Sequence, residues 1–454
     1  MKRSFPYFLL LTVTILVCAT CAPVYNKQKA NVEKQVRPPA VVQKDDQTLI
    51  FVALSGGGTR AAAMSWKALE EFKKIPYAYT DKAGHEIMST LADEIDYISG
   101  ISGGSFAAAA FCLYKDKMDV FRKQFINRNI ERGLFTGLFW PPWQGLRVLY
   151  PGSHYDRIHV ASELYDSEVF DKKTFADLPP HPVLWIHATH LALGNRFTFT
   201  QDYFDLLDSD LSHYPVAYAC AASSAFPILL SPMTLVNYGG TEALSNDVMY
   251  EMAKLNARDD IEKDFYCRMR EFYNDKTNRY MHLADGGLVD NQGLQAIIDQ
   301  FDTNGIINRK LNDRDNPLKR LIIINVNAGV VSDEKSCKKK SAPGIGSVVE
   351  YTMTTSLDIL SAKRWMAIKQ LADEVYKAAI DLRSSTPSLA NLEKPYIIEI
   401  NFRKVKDDKM RAECNKLPTS FHLTKEQIEL IDAVVPKLVD EDPDMIRLKG
   451  VLKH

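Results

Sequence analysis

Short apolar runs recur along this chain, and most of them end in small or polar residues that open a stretch with helical spacing. In TLIFVALSGGGTR (48–60) an apolar run meets a glycine cluster, and AAAMSWKALEEF (61–72) then places Met64, Ala68 and Phe72 on one helical face. EIDYISG (94–100) predicts a second strand and SFAAAAFCLY (105–114) the start of a second helix. Three more strands are predicted in HPVLWIHATHLAL (181–193), RLIIINVNAGV (320–330) and PYIIEINF (395–402). Apolar strands that alternate with helical patterns predict an α/β fold with a mostly parallel central sheet covered by helices. Two stretches exceed what such a sheet needs and read as insertions near its C-terminal edge. One is 115–180, with GLFTGLFWPPWQGLRVLYPG. The other is 237–280, where Ile261, Phe265, Met269 and Phe272 share a helical face. Near the end, Thr424 and Gln427 form a capping-box pattern that opens a closing helix.

The first residues follow a different logic. Lys2 and Arg3 precede an apolar stretch, Phe8 to Val17, that is short for a bilayer core needing about 20 residues. Residues 1–21 therefore read as an export signal, with lipidation expected at Cys21 or alternatively Cys18, and simple cleavage after Ala22 as the rival. Residues 22–48 are polar, contain proline and lack periodicity, which predicts a flexible tether. The expected location is exported: a membrane-anchored lipoprotein on the periplasmic side or outer membrane, or a periplasmic or secreted protein. The rest divides into a catalytic domain over 49–330 and a C-terminal α/β extension over 331–454 on the same core. The net charge of −1 gives no electrostatic footprint for nucleic acid. The five cysteines after residue 21 have irregular spacing and predict neither a disulfide framework nor a metal site.

Chemistry is concentrated at the strand-to-helix junctions. Gly100-Ile101-Ser102-Gly103-Gly104 is a G-x-S-x-G pattern between a strand and a helix, which predicts a nucleophile elbow with Ser102 at its apex. Ser55-Gly56-Gly57-Gly58-Thr59-Arg60 lacks the Gly-Lys-Ser/Thr of a phosphate-binding loop and suits an oxyanion hole, with Gly56, Gly57, Gly58 and Arg60 as candidates. In YMHLADGGLVDNQG (280–293), Asp285 follows a short strand and precedes Gly286-Gly287, where a carboxylate can approach the serine. Asp290 and Asn291 are expected to hydrogen-bond within that loop. Among the ten histidines, only His422 and the terminal His454 come late enough for the order Ser, acid, His of an α/β-hydrolase.

The blocks LSGGGTRA, GISGGS and ADGGLVDNQG, in this order, resemble the signature blocks of the patatin-like phospholipases, and ACAASSAFPILLSP (219–232) is similar to the segment lining that family's site. Ser55 stands where the family more often has Asp, and Ala61 where it has Gly. The resemblance implies a three-layer α/β/α fold and a Ser–Asp dyad, with Ser102 as nucleophile, Asp285 as proton acceptor and the Gly56–Gly58 loop with Arg60 as oxyanion hole. It implies a serine acyl hydrolase, phospholipase A or lysophospholipase-like, without cofactor or metal. The expected partners are a phospholipid or lysophospholipid substrate and a membrane surface, which LFTGLFWPPW (134–143) would face. The alternatives are a histidine-dependent esterase using His422 and an inactive, membrane-tethered binding protein.

Overall fold

The computed structural model describes residues 25–29, 45–80, 84–139, 154–227, 229–239, 271–302, 305–330 and 344–452, with residues 145, 147, 148, 268, 269 and 340. Its strands are β1 (Lys27–Gln28), β2 (Thr48–Leu54), β3 (Pro76–Thr80), β4 (Glu86–Thr90), β5 (Tyr97–Ile101), β6 (Val183–His190), β7 (Asn195–Thr198), β8 (Ser209–Asp210), β9 (Met233–Val236), β10 (Tyr280–Asp285), β11 (Arg320–Asn327) and β12 (Tyr396–Asn401). The longer helices are α1 (Gly58–Phe72), α2 (Gly103–Tyr114), α3 (Ile130–Phe139), α4 (Arg157–Glu168), α5 (Val216–Ser223), α6 (Ile345–Leu382), α7 (Lys425–Glu441) and α8 (Pro443–Leu452).

The main sheet runs β12-β11-β2-β5-β6-β10-β9, with β7 paired to β6. The strands from β12 to β6 are parallel, and β10 turns the direction by pairing antiparallel to β6. Every residue of β2 is buried. Ile50, Val52 and Leu54 point into one apolar cluster, with α1, α2 and α7, while Leu49, Phe51 and Ala53 point into a second, with Trp365, Ile368 and Ala372 of α6. A sheet covered on both faces needs continuous apolar strands, which is why these runs do not alternate. The alanines at 61–63 and 107–110 are buried and let α1 and α2 lie close on the sheet. The result is the three-layer α/β/α fold. The C-terminal part joins it directly, because β12 extends the sheet beside β11 and α7 packs against α1.

Three features differ from the sequence reading. A hairpin of β3 and β4 intervenes between α1 and β5. Helix α6 runs for 38 residues, and its amphipathic signal is weak because Ile359, Leu360 and Met366 are exposed beside the buried stripe. The expected tether over 22–48 is docked at its start. β1 pairs antiparallel with β8, and Asn26 is buried, its amide donating to Ser209 Oγ (2.9 Å) and the Val236 carbonyl (2.9 Å) and accepting from the Val236 N–H (2.7 Å). An asparagine amide carries donors and an acceptor like a peptide group, so a polar segment without periodicity can still be stitched to an edge. The expected signal, Cys18, Cys21, residues 140–144 and most of 240–270 lie outside the described residues. Of the predicted insertion helix, Met269 and Phe272 pack against the core.

Candidate active site

Strand β5 ends at Ile101 and α2 begins at Gly103, so Ser102 carries the whole change of direction, at φ 47° and ψ −121°. A side chain with positive φ is strained by about 1–3 kcal/mol and persists only where its surroundings fix it. They do so here from three elements. The Ser102 N–H donates to Ser223 Oγ (2.9 Å), and that hydroxyl donates to the His187 carbonyl (2.6 Å). The Ser102 carbonyl accepts from the N–H (3.0 Å) and the hydroxyl (2.6 Å) of Ser105. Gly103 touches the glycine loop: a Cβ there would lie 2.0 Å from the Gly58 carbonyl oxygen. Gly100 likewise faces Ser105, and Gly104 faces the Leu54 carbonyl.

The glycine loop joins β2 to α1 beside this turn. The Gly56 N–H donates to the Asn291 carbonyl (2.8 Å) and the Thr59 N–H to the Ser420 carbonyl (2.8 Å). Between them, the amides of Gly57 and Gly58 have no hydrogen bond among the described residues. They are the backbone donors of this loop that the fold leaves unused among the described residues. Gly56 and Arg60 were expected to join them, but the structure gives both other work. The Arg60 guanidinium is buried and donates to the Leu417 carbonyl (2.6 Å), bracing the loop against the 417–420 segment. Burial lowers its pKa to about 10, so it remains a cation at neutral pH. Ser55 accepts the Ala328 N–H (2.9 Å) at the end of β11.

Asp285 ends β10, where its N–H donates to the Ala225 carbonyl (3.0 Å) and its carbonyl accepts from Thr189 Oγ1 (2.8 Å). Its buried carboxylate accepts from the Gly287 N–H (2.7 Å), and the nearby Ser102 hydroxyl helps to hold its pKa down. Desolvation raises its pKa to about 6 against the pull of those two donors. Gly286 passes close over the His187 carbonyl. Asp290 turns away from the serine and accepts from the N–H groups of Gln292 (3.3 Å), Gly293 (3.1 Å) and Gln295 (2.7 Å), with Arg364 3.9 Å away. Asn291 contributes through its backbone carbonyl to Gly56, and its side-chain oxygen lies against Gly56 and Gly287.

Two histidines define what the site lacks. His187 lies in the strand next to the elbow, fully buried, with Nε2 2.9 Å from Ser99 Oγ and Nδ1 2.9 Å from Thr198 Oγ1. Ser99 donates to the Gly293 carbonyl (2.8 Å), which leaves it to accept from Nε2–H. Burial holds the ring neutral, its pKa well below the usual value. Both nitrogens are occupied, so His187 ties strands together. His422 lines a surface cavity with Arg122, Asn127, Thr424 and Lys425, and its Nδ1 has no hydrogen-bond partner among the described residues. Glu429 lines the same cavity, but among the described residues no carboxylate hydrogen-bonds His422 as a triad base requires.

The family model of the patatin-like phospholipases matches residues 52–298, which hold the glycine loop, Ser102 and Asp285. The chain belongs to the patatin-like phospholipase family. No curated protein matches it. Two solved structures match the chain at low similarity. Human GIVD cytosolic phospholipase A2 is 12% identical with a TM-score of 0.34, over 63% of this chain and 46% of that one. VipD from Legionella pneumophila is 13% identical with a TM-score of 0.30, over 86% of this chain and 67% of that one. The chain thus spans less than half the length of the human protein. In this patatin-like site, the role of Ser223 was hidden in sequence. ACAASSAFP marked the segment, but nothing in it says which hydroxyl meets the Ser102 amide.

Two outcomes follow from this geometry. Ser223→Ala leaves two buried backbone groups unpaired, so it is expected to lower unfolding free energy by about 1–3 kcal/mol and to reduce kcat more than it alters KM; denaturant melts and steady-state kinetics measure both. Asp285 has a folded-state pKa above the usual aspartate value of 3.8. Its stabilising contribution is therefore full below pH 4 and lost as pH rises through about 6, a penalty of about 3 kcal/mol at neutral pH. Asp285→Asn removes the charge, so it is expected to be more stable than the parent at pH 7.5 by about 2–3 kcal/mol and to lose that advantage below pH 4. Urea melts at both pH values check the sign.

Proposed function

We propose that this protein is a serine acyl hydrolase that cleaves acyl esters of phospholipid or lysophospholipid through a Ser102–Asp285 dyad. The observation that carries the reading is the placement of the buried Asp285 carboxylate beside the strained elbow: Asp285 pairs with Ala188 of β6, one position past His187, which pairs with Ile101 just before Ser102. Family membership supports a lipid ester as the substrate class.

In the proposed reaction, Ser102 Oγ attacks the ester carbonyl carbon while Asp285 accepts the hydroxyl proton. The carbonyl oxygen becomes an oxyanion facing the Gly57 and Gly58 amides at the N-terminus of α1, where the helix dipole adds to the two donors. Collapse of this intermediate breaks the bond to the alcohol, which leaves with the proton from Asp285. The acyl-enzyme is cleared by a water that gives its proton to Asp285 as it attacks, and Ser102 is regenerated when that proton passes to Oγ. A carboxyl group with a pKa of about 6 is ionised at neutral pH yet more basic than an ordinary aspartate, as a general base should be. The proposal includes export and an acyl anchor on Cys21, supported by the sequence of residues 1–21.

Ser102→Ala is expected to abolish both ester turnover and labelling by a fluorophosphonate probe in a folded protein. Full labelling of that variant places the nucleophile elsewhere. His422→Ala is expected to stay within a few-fold of the parent, whereas loss of a triad base costs about 10⁴-fold. A folded but inactive His422→Ala protein supports the histidine-dependent reading instead. Because Asp285 works as the anion, kcat/KM on a soluble short-chain ester should fall about tenfold per pH unit below about 6 and level off above it; a rate that holds to pH 4 contradicts Asp285 as the base.

A further inference from the structure

The docked segment at 25–29 raises a question of position. Asn26 is fixed to β8 and β9, Tyr238 Oη donates to the Asn26 carbonyl (2.9 Å), and Lys29 pairs with Asp205 at 2.6 Å. In β9, Val236 pairs with Tyr280 of β10, five positions before Asp285 on the same strand. This corner therefore stands over the C-terminal edge of the sheet, on the side where Ser102 and Asp285 lie. Burial first, and then Tyr280 and Asp156, raise the Tyr25 phenol pKa. Asp156 caps α4, and the Ile158 N–H of that helix donates to Ser231 Oγ (3.2 Å). Ser231 ends the 225–231 loop that starts at the Ala225 carbonyl on the Asp285 amide. The N-terminal segment thus enters the fold on the Asp285 side of the sheet, held at Val236 opposite Tyr280.

This rim carries exposed apolar side chains. Leu229 in the loop is 55% exposed, Tyr280 is 51% exposed, and Phe135 on α3 is 64% exposed. Helix α3 reaches the rim by packing on α4, Gly133 against Leu164. Chain length adds the decisive constraint. Cys21 precedes Tyr25 by four residues, a reach of at most about 14 Å. A free tether of 22–48 would have a root-mean-square span of about 30 Å and let the body turn in any direction.

We propose that docking of Tyr25–Lys29 seats the rim formed by Leu229, Tyr280 and Phe135 on a phospholipid bilayer, with the acyl chains of Cys21 as the occupant that holds it there. The proposal rests on the reading of Cys21 as the lipidated residue. A short leash beside the active-site mouth raises the local concentration of that face at the lipid surface without any new contact. The β3–β4 hairpin, bearing Met88 at 70% exposure, is at the other end of the sheet, since Tyr77 bonds Thr48 at the start of β2. It faces away from the membrane in this arrangement.

The test uses the full mature chain and has readouts that do not depend on catalysis. Mass spectrometry of the N-terminus comes first, and an unmodified Cys21 overturns the proposal. Hydrogen–deuterium exchange is then compared between detergent and phosphatidylethanolamine–phosphatidylglycerol vesicles. Slowing at 226–232 and 130–136 with none at 86–90 supports the proposed face. Slowing at 86–90, or at none of these segments, overturns it. A twenty-residue Gly/Ser insertion between Val24 and Tyr25 should abolish the slowing at 226–232 and cut turnover of vesicle lipid several-fold, while turnover of a soluble short-chain ester is unchanged. An insertion variant indistinguishable from the parent on vesicles overturns the leash. If the parent hydrolyses no soluble ester, the catalytic reading fails, and the exchange pattern still decides the membrane face.

Discussion

The backbone of one residue organises this active site. Ser102 has a positive φ that its side chain disfavours, and the fold holds it there by fixing both its N–H and its carbonyl. The neighbouring glycine then fits against the carbonyl of Gly58 with no room for a Cβ. The turn at Ser102 and the glycine loop are therefore one packed unit, and the position of the free loop amides relative to the serine is set by backbone contact. Rigid backbone donors need no rearrangement during a reaction, which is where most electrostatic stabilisation of transition states originates.

The unit is braced from a distant part of the chain. The Ser420 carbonyl takes the Thr59 N–H, and the Leu417 carbonyl takes the Arg60 guanidinium. A Cβ on Gly58 would meet the Ser420 carbonyl oxygen at 2.5 Å. Residues far beyond the 52–298 family match thus hold the loop that opens it. Arg60, whose place in the motif pointed to the oxyanion, works from behind, keeping the loop pressed on the elbow.

Stability and chemistry pull in opposite directions at Asp285. A buried carboxylate with one backbone donor, a hydroxyl nearby and, among the described residues, no cation paired with it gains less from these partners than it loses in desolvation, and its pKa rises to about 6. Asp290, five residues on, shows the contrast. It is as deeply buried but takes three backbone N–H groups and lies near Arg364, an arrangement that folds the loop. The partners of Asp290 are spent on the loop's backbone, whereas the carboxylate of Asp285 is left facing the elbow.

By itself, the sequence determined the parallel sheet, the elbow at Ser102 and the aspartate at the end of a strand. These follow from local pattern: apolar runs long enough to be buried on both faces, and glycines where a strand must turn into a helix. The capping box at Thr424 and Gln427 was legible for the same reason. Tertiary structure alone decided which amides of the glycine loop keep a free N–H, because that depends on Asn291 and Ser420 arriving from elsewhere. It decided that Ser223 holds the nucleophile's amide, and that Arg60 faces Leu417. It also turned the start of the expected tether into a docked strand, since Asn26 finds its partners on Ser209 and Val236, 183 and 210 positions away. Hydrogen bonds between segments distant in sequence leave no periodicity in either segment, and only the folded chain brings their donors and acceptors together.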